Sequence, residues 1–197
     1  MFSRILLLGL VLVFVPQLWG QSTEPVLRNG VLFNPDLYKQ ATPKECLASV
    51  LLAIERNRID YLINYLIDPL TINERLKQTS DYYLKIAEGE IAPIPSGLSD
   101  IRQEAARRVR QDQVQARATR LGREAIALAI QKKLLDDPEA LKDLKRFLSE
   151  GEFLDAGETA TAILKDLPDR KLFFRKIPNP ADPDKKSIWV FDNKKTE

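Results

Sequence analysis

Between residues 99 and 135 the chain contains no proline and a single glycine, Gly122. A stretch of that length without a breaker predicts one long helix, around which the rest of the fold has to pack. Its lower half carries Val114, Ala118, Leu121, Ala125 and Leu128 at alternating spacings of four and three, which is a packing seam. Continued towards the N-terminus, the same stripe becomes Arg110 and Arg107. Either the upper half leaves the body of the protein, or that face meets something acidic. Residues 101–133 hold nine Lys/Arg against three Asp/Glu, whereas the whole chain has a formal charge of only +2. The basic character is therefore local.

Upstream, Thr42-Pro43-Lys44-Glu45 is a capping box with proline in the first helical position, so a helix starts there. Leu47, Val50, Leu51 and Ile54 then share one face, and Ile59, Leu62, Ile63 and Leu66 repeat the spacing before Asp68-Pro69. These predict two short helices joined tightly. A third, more polar helix is expected over 72–88, with Ile72, Leu76, Tyr83 and Ile86 inward, and the prolines at 93 and 95 end it. Asp137-Pro138 opens a further helix whose stripe is Leu141, Leu144 and Leu148, up to Gly151. Residues 21–41, with Pro25, Gly30 and Pro35 and no clear period, read as a linker or loosely packed lead-in.

After Gly151 the pattern changes to strands. Residues 159–164 alternate, with Ala160, Ala162 and Leu164 on one side; 172–177 are aromatic and apolar; 188–191 read Ile-Trp-Val-Phe. Leu167-Pro168-Asp169 and the 179–184 stretch read as separators. The expected architecture is α+β: a mainly helical body of four to five helices followed by a three-stranded antiparallel meander, one domain over 42–192 with a polar tail at 193–197.

The first twenty residues give an address. Met1-Phe2-Ser3-Arg4, an apolar run over 5–15, Pro16 and the small Gly20 have the layout of a secretory signal peptide. Cleavage near Gly20 makes the protein periplasmic or secreted, and retention as an N-terminal membrane anchor is the alternative. A lipoprotein would need a cysteine directly after the apolar run, and the only one, Cys46, lies far downstream. No later apolar run approaches membrane-spanning length, so no stable span is expected after cleavage.

With one cysteine an internal disulfide is impossible, and the exported domain must be held by packing. The absence of histidine excludes imidazole acid–base catalysis, the Ser–His and Cys–His nucleophile pairs and histidine metal ligation. Eight glycines, none in dinucleotide-binding or Walker spacing, argue against nucleotide binding. Asp182-Pro183-Asp184 with Asn179 lacks the glycine and closing glutamate of a calcium loop and reads as a hairpin loop. The chain is thus expected to be non-catalytic, with no catalytic residue, metal or cofactor. Nucleic acid is not an expected partner, because no aromatic interleaves with the arginines.

Two constellations remain as candidate sites. Arg107, Arg110, Arg117 and Arg120 form a helical face able to dock on an envelope protein or an anionic surface, or else a solvated face. Phe173, Phe174, Trp189 and Phe191 form either the core of the terminal sheet or the wall of a ligand pocket.

The motifs Thr42-Pro43-Lys44-Glu45-Cys46, Asn57-Arg58-Ile59-Asp60-Tyr61-Leu62, Gly157-Glu158-Thr159-Ala160-Thr161-Ala162 and Ile188-Trp189-Val190-Phe191 together resemble exported bacterial proteins of unknown function with a nuclear transport factor 2-like pattern. The resemblance spans 42–68 and 150–192. It implies helices wrapped against a curved antiparallel sheet, often around a conical pocket, and a binding or accessory role. Residues 70–150 read as helix where that family brings in sheet, and the pocket acids and histidines of its enzymatic members have no counterpart here. The leading functional expectation is binding or scaffolding in the cell envelope, and the alternative is a small-molecule-binding module.

Overall fold

The computed structural model describes residues 25–97 and 99–192; the expected leader at 1–20 and tail at 193–197 lie outside the described residues. The architecture is α+β, with the helices first and the main sheet last. Three helices share one local rule. Thr42, Asp68 and Asp137 each cap a helix whose first residue is proline: α1 (Pro43–Glu55), α3 (Pro69–Glu90) and α5 (Pro138–Glu150). At α1 the capping box closes fully, since Thr42 Oγ1 accepts from Glu45 N at 3.1 Å and Glu45 Oε2 accepts from Thr42 N at 3.2 Å.

Residues 25–41 are not a loose lead-in. Asn29 and Gly30 both adopt positive φ, 52° and 78°, which is what a two-residue hairpin turn requires, and they join β1 (Leu27–Arg28) to β2 (Val31–Leu32). Val31, Phe33, Tyr38 and Gln40 are buried. The Tyr65 hydroxyl donates to Val31 O at 2.7 Å, and Tyr38 stacks on Tyr61 at 4.0 Å between ring centroids.

The second short helix differs from its expected form. It begins as α2 (Ile59–Tyr61) and widens at once into a π-helical turn, Leu62–Leu66, closed by Ile67 N donating to Leu62 O. Every residue from Tyr61 to Asp68 is buried, so this segment lies inside the body rather than on it. Asn64 in its middle is a polar hub: its Oδ1 accepts from Asn29 Nδ2 at 2.7 Å and from Arg123 at 3.2 Å, and its carbonyl accepts from Arg28 at 2.8 Å.

The long helix α4 (Asp100–Asp136) has 37 residues, a length of about 55 Å. It runs antiparallel to α3. The buried stripe follows the expected one at Val114 and Ala118 and then leaves it. Leu128 is exposed, and the inward positions are Val114, Ala118, Gly122 and Ile126, continued by the half-buried Ile130 and Leu134. A strict four-residue step drifts by about 40° each time on a helix of 3.6 residues per turn. The stripe therefore winds from the α3 side at Val114 to the cluster around Leu62 and Ile72 at Ile126. Gly122 lies where the two helices touch: a Cβ there would meet Leu76 Cδ2 at 2.7 Å, and the leucine side chain would have to shift.

The sheet has four strands, not three: β3 (Glu152–Asp155), β4 (Thr159–Leu164), β5 (Leu167–Asn179) and β6 (Asp182–Asp192), antiparallel in that order. The extra strand follows directly on Gly151 and is a short edge with no alternation to betray it. The expected separator Leu167-Pro168-Asp169 opens β5 instead. Pro168, Asp169 and Arg170 fall in an irregularity between the pairs Ile163↔Lys171 and Leu164↔Leu167, where proline is tolerated. The inner face of the sheet packs Ala160, Ala162, Leu164, Phe174 and Trp189 against Cys46 and Leu47 of α1 and Phe147 of α5.

Candidate functional site

The four arginines of the expected docking face are mostly engaged within the chain. Arg110 donates to the carbonyls of Glu88 and Ala92 at 3.1 and 3.2 Å, satisfying the C-terminal end of α3, where carbonyls carry partial negative charge. Arg117 pairs with Glu90 at 2.5 Å, and its hydrogen bond holds that carboxyl below its usual range. Arg120 approaches Glu124 one turn on at 3.6 Å, while Arg107 is exposed. Above Val114, then, Arg110 meets backbone carbonyls at the end of α3 and just beyond it and Arg107 stays exposed, while the carboxylate of Glu90 is taken by Arg117 below Val114. Arg123, outside the expected set, is half-buried at Asn64; burial, with Arg28 nearby, draws its guanidinium pKa down.

Strand alternation sets one of the four aromatics, Phe173, on the opposite face from the other three. Phe174 and Trp189 are buried at 1% and 2% exposure, and Trp189 sits in the cluster with Cys46 and Leu47 of α1. Phe173 is half-buried with its neighbours on the other face. Phe191 alone of the four lines an opening. Cys46 is wholly buried, and desolvation pushes its thiol far up in pKa. A disulfide reagent at pH 8 is therefore expected to label Cys46 at once in denaturant and only at the rate of unfolding in the native protein. Rapid labelling of the native chain would place the thiol at the surface.

The opening is a cleft of about 530 Å³ where α1, the π-helical turn, the start of α3, the end of α4, α5 and β5 come together. Ile54, Leu62, Ile72, Leu134, Phe147 and Phe191 supply apolar wall. The charged lining is Arg75 of α3, Lys133 of α4, Asp143 of α5, and Asp169, Arg170 and Lys171 at the irregular start of β5. Arg170 is ion-paired with Asp143, a carboxylate only 17% exposed. Thr71 adds a hydroxyl. None of these polar residues is marked by a local motif; they come from elements remote in sequence. Among the described residues no group of three or more Cys, Asp or Glu is placed to hold a metal ion. Asn179 Oδ1, one of the oxygens considered for calcium, accepts from Ala181 N at 2.9 Å within the β5–β6 turn.

A volume of this size with mostly apolar walls and a few convergent polar groups is the form of a small-molecule pocket. Compared with protein-family models, curated proteins and solved structures, the chain matches none. Its likeness to the nuclear transport factor 2-like pattern thus rests on the quoted motifs alone. No helix among the described residues is long and apolar enough to cross a membrane.

Proposed function

We propose that this chain is an exported, non-catalytic binding module whose cleft takes a small molecule with an apolar part. The observation that carries the reading is the apolar cleft of about 530 Å³, a size within the range of small-molecule sites. Export is supported by the layout of residues 1–20, and the lack of catalysis by the absence of histidine together with the burial of the one thiol. The nuclear transport factor 2-like motifs point the same way, towards helices over a sheet with a ligand between them. Docking on an anionic surface through α4 is the weaker reading, because Arg110, Arg117 and Arg120 already have partners in the chain.

The test uses the full chain and the neutral fluorophore N-phenyl-1-naphthylamine. Its emission is expected to rise saturably on titration. Ala140→Phe places a ring in the cleft from a half-buried position on α5 and is expected to weaken binding by about tenfold or more. Circular dichroism and the melting temperature should stay as in the wild type. Unsaturable wild-type fluorescence, or full binding by Ala140→Phe, overturns the reading.

A further inference from the structure

We infer that the molecule held in the cleft is an anionic single-chain amphiphile, with its alkyl tail against Ile72, Leu134 and Phe147 and its head group among Arg75, Lys133 and Lys171. This rests on the binding-module reading and adds the chemical class of the ligand.

Charge bookkeeping at the mouth of the cleft supports the head group. Four cations and two carboxylates line it, and the Arg170–Asp143 pair removes one of each. Arg75, Lys133 and Lys171 then face only Asp169, and none of the three has an ion pair among the described residues. The cations of α5 are all answered, and on α4 Arg108, Arg117 and Arg120 are, while Arg102, Arg107 and Lys132 lie away from the cleft without an ion pair among the described residues. Lys142 pairs with Glu139, Lys145 with Glu55, Arg146 with Asp166, and Arg108 with Glu104.

The three unanswered cations come from α3, α4 and β5, so folding, not a run of sequence, brings them to one opening. The formal charge of the whole chain is only +2, so this excess is not a general basicity. A neutral ligand would cover these cations without compensating them, whereas a carboxylate or phosphate head answers them while its tail covers the apolar wall.

Displacement of the bound fluorophore distinguishes the cases. Decanoate and decyl phosphate are expected to displace it from the wild-type chain at concentrations about tenfold below those of decanol, with decyltrimethylammonium weaker still. The ratio of decanol to decanoate should shrink in 1 M salt, where the screening length is about 3 Å. Replacing Arg75, Lys133 and Lys171 together by Gln should bring decanoate to the level of decanol, each read against the fluorophore affinity measured for that variant. Lys133→Gln alone, at an exposed position, should move the ratio in the same direction if the triple variant does not fold.

Equal displacement by decanoate and decanol in the wild type overturns the anionic head group and leaves the binding module standing. A preference for decanoate that survives both sets of substitutions overturns the assignment to these cations. Failure of the fluorophore itself to bind removes the underlying reading as well. Strong displacement by decanoate but not by decyl phosphate, or the reverse, identifies which head group the opening takes.

Discussion

Phe174→Ala is expected to cost about 3–5 kcal/mol, a large share of the stability of a domain this size. The ring is 1% exposed in the middle of β5, opposite Ala160 on β4 and Phe191 on β6. Alanines at 160 and 162 leave the sheet face shallow, and Phe174 fills the space between that face and the helices above. Its ring lies 6.0 Å from Phe153 and 5.7 Å from Phe191, the latter edge-on. Small neighbours cannot close over the hole, so the cavity term should be near its full size. Urea denaturation would show a lower midpoint at unchanged slope. Phe173→Ala, one residue away on the opposite face and half-buried, should lose less than about 2 kcal/mol. If Phe173→Ala proved the more damaging of the two, the buried face of the sheet would be the other one.

Strand β4 shows what a single sequence can disclose. Its alternation of Ala160, Ala162 and Leu164 is a period of two, and those three residues are the buried ones. Helix α4 was equally plain in extent, because only the absence of breakers was needed. Its buried stripe was legible only at Val114 and Ala118, because a coiled-coil seam assumes one partner along the whole length. This helix changes partner half-way, and a four-residue step that winds round the axis serves both. The Asn29-Gly30 hairpin was missed because each of its strands has only two residues, too few for any period, and only the turn dipeptide announces it. The π-helical turn escaped for a different reason. Leu62–Leu66 is buried all round, so apolar spacing marks it as helical without revealing the wider turn.

The cleft was legible in just one residue, Phe191, named among four aromatics for which core or pocket wall was open. Strand parity set Phe173 apart, and position along the strand did the rest: Phe174 and Phe191 are cross-strand partners, but β6 reaches its last residues at the mouth of the cleft while Phe174 lies beneath the helices. The charged rim carried no signal at all. Arg75, Lys133 and Lys171 look like ordinary surface cations in their own segments, and only the tertiary fold brings them together. Arg110 is the opposite case. Its place on the upward continuation of the α4 seam raised an acidic partner as one of two outcomes, and what it meets instead is backbone carbonyls at the end of α3.

Asp68→Ala is expected to lose about 2–4 kcal/mol, because one carboxylate does several jobs at the junction of helix and sheet. Its Oδ1 accepts from Leu70 N at 2.9 Å, capping α3, and from Arg175 of β5 at 2.5 Å; its own amide donates to Phe191 O of β6. Loss of the cap accounts for about 1 kcal/mol. The rest comes from Arg175, whose Nε already lacks an acceptor and whose guanidinium would be left without its counter-charge. At 30% exposure Arg175 keeps some contact with water, so the full penalty of a broken buried pair does not apply. Asp68→Asn, which retains a capping oxygen but no charge, should recover about 1 kcal/mol of the loss. Adding Arg175→Met to Asp68→Asn should recover more, by removing the stranded cation. Since α3 brings Thr71, Ile72 and Arg75 to the cleft, Asp68→Ala should also weaken fluorophore binding, whereas Phe173→Ala should not. Denaturant melts of the variants read the first set of values. If Asp68→Ala and Asp68→Asn both lost less than about 1 kcal/mol, the ion pair and the cap would both be replaceable by water, and the junction would be held by apolar packing and the backbone bond from residue 68 to Phe191.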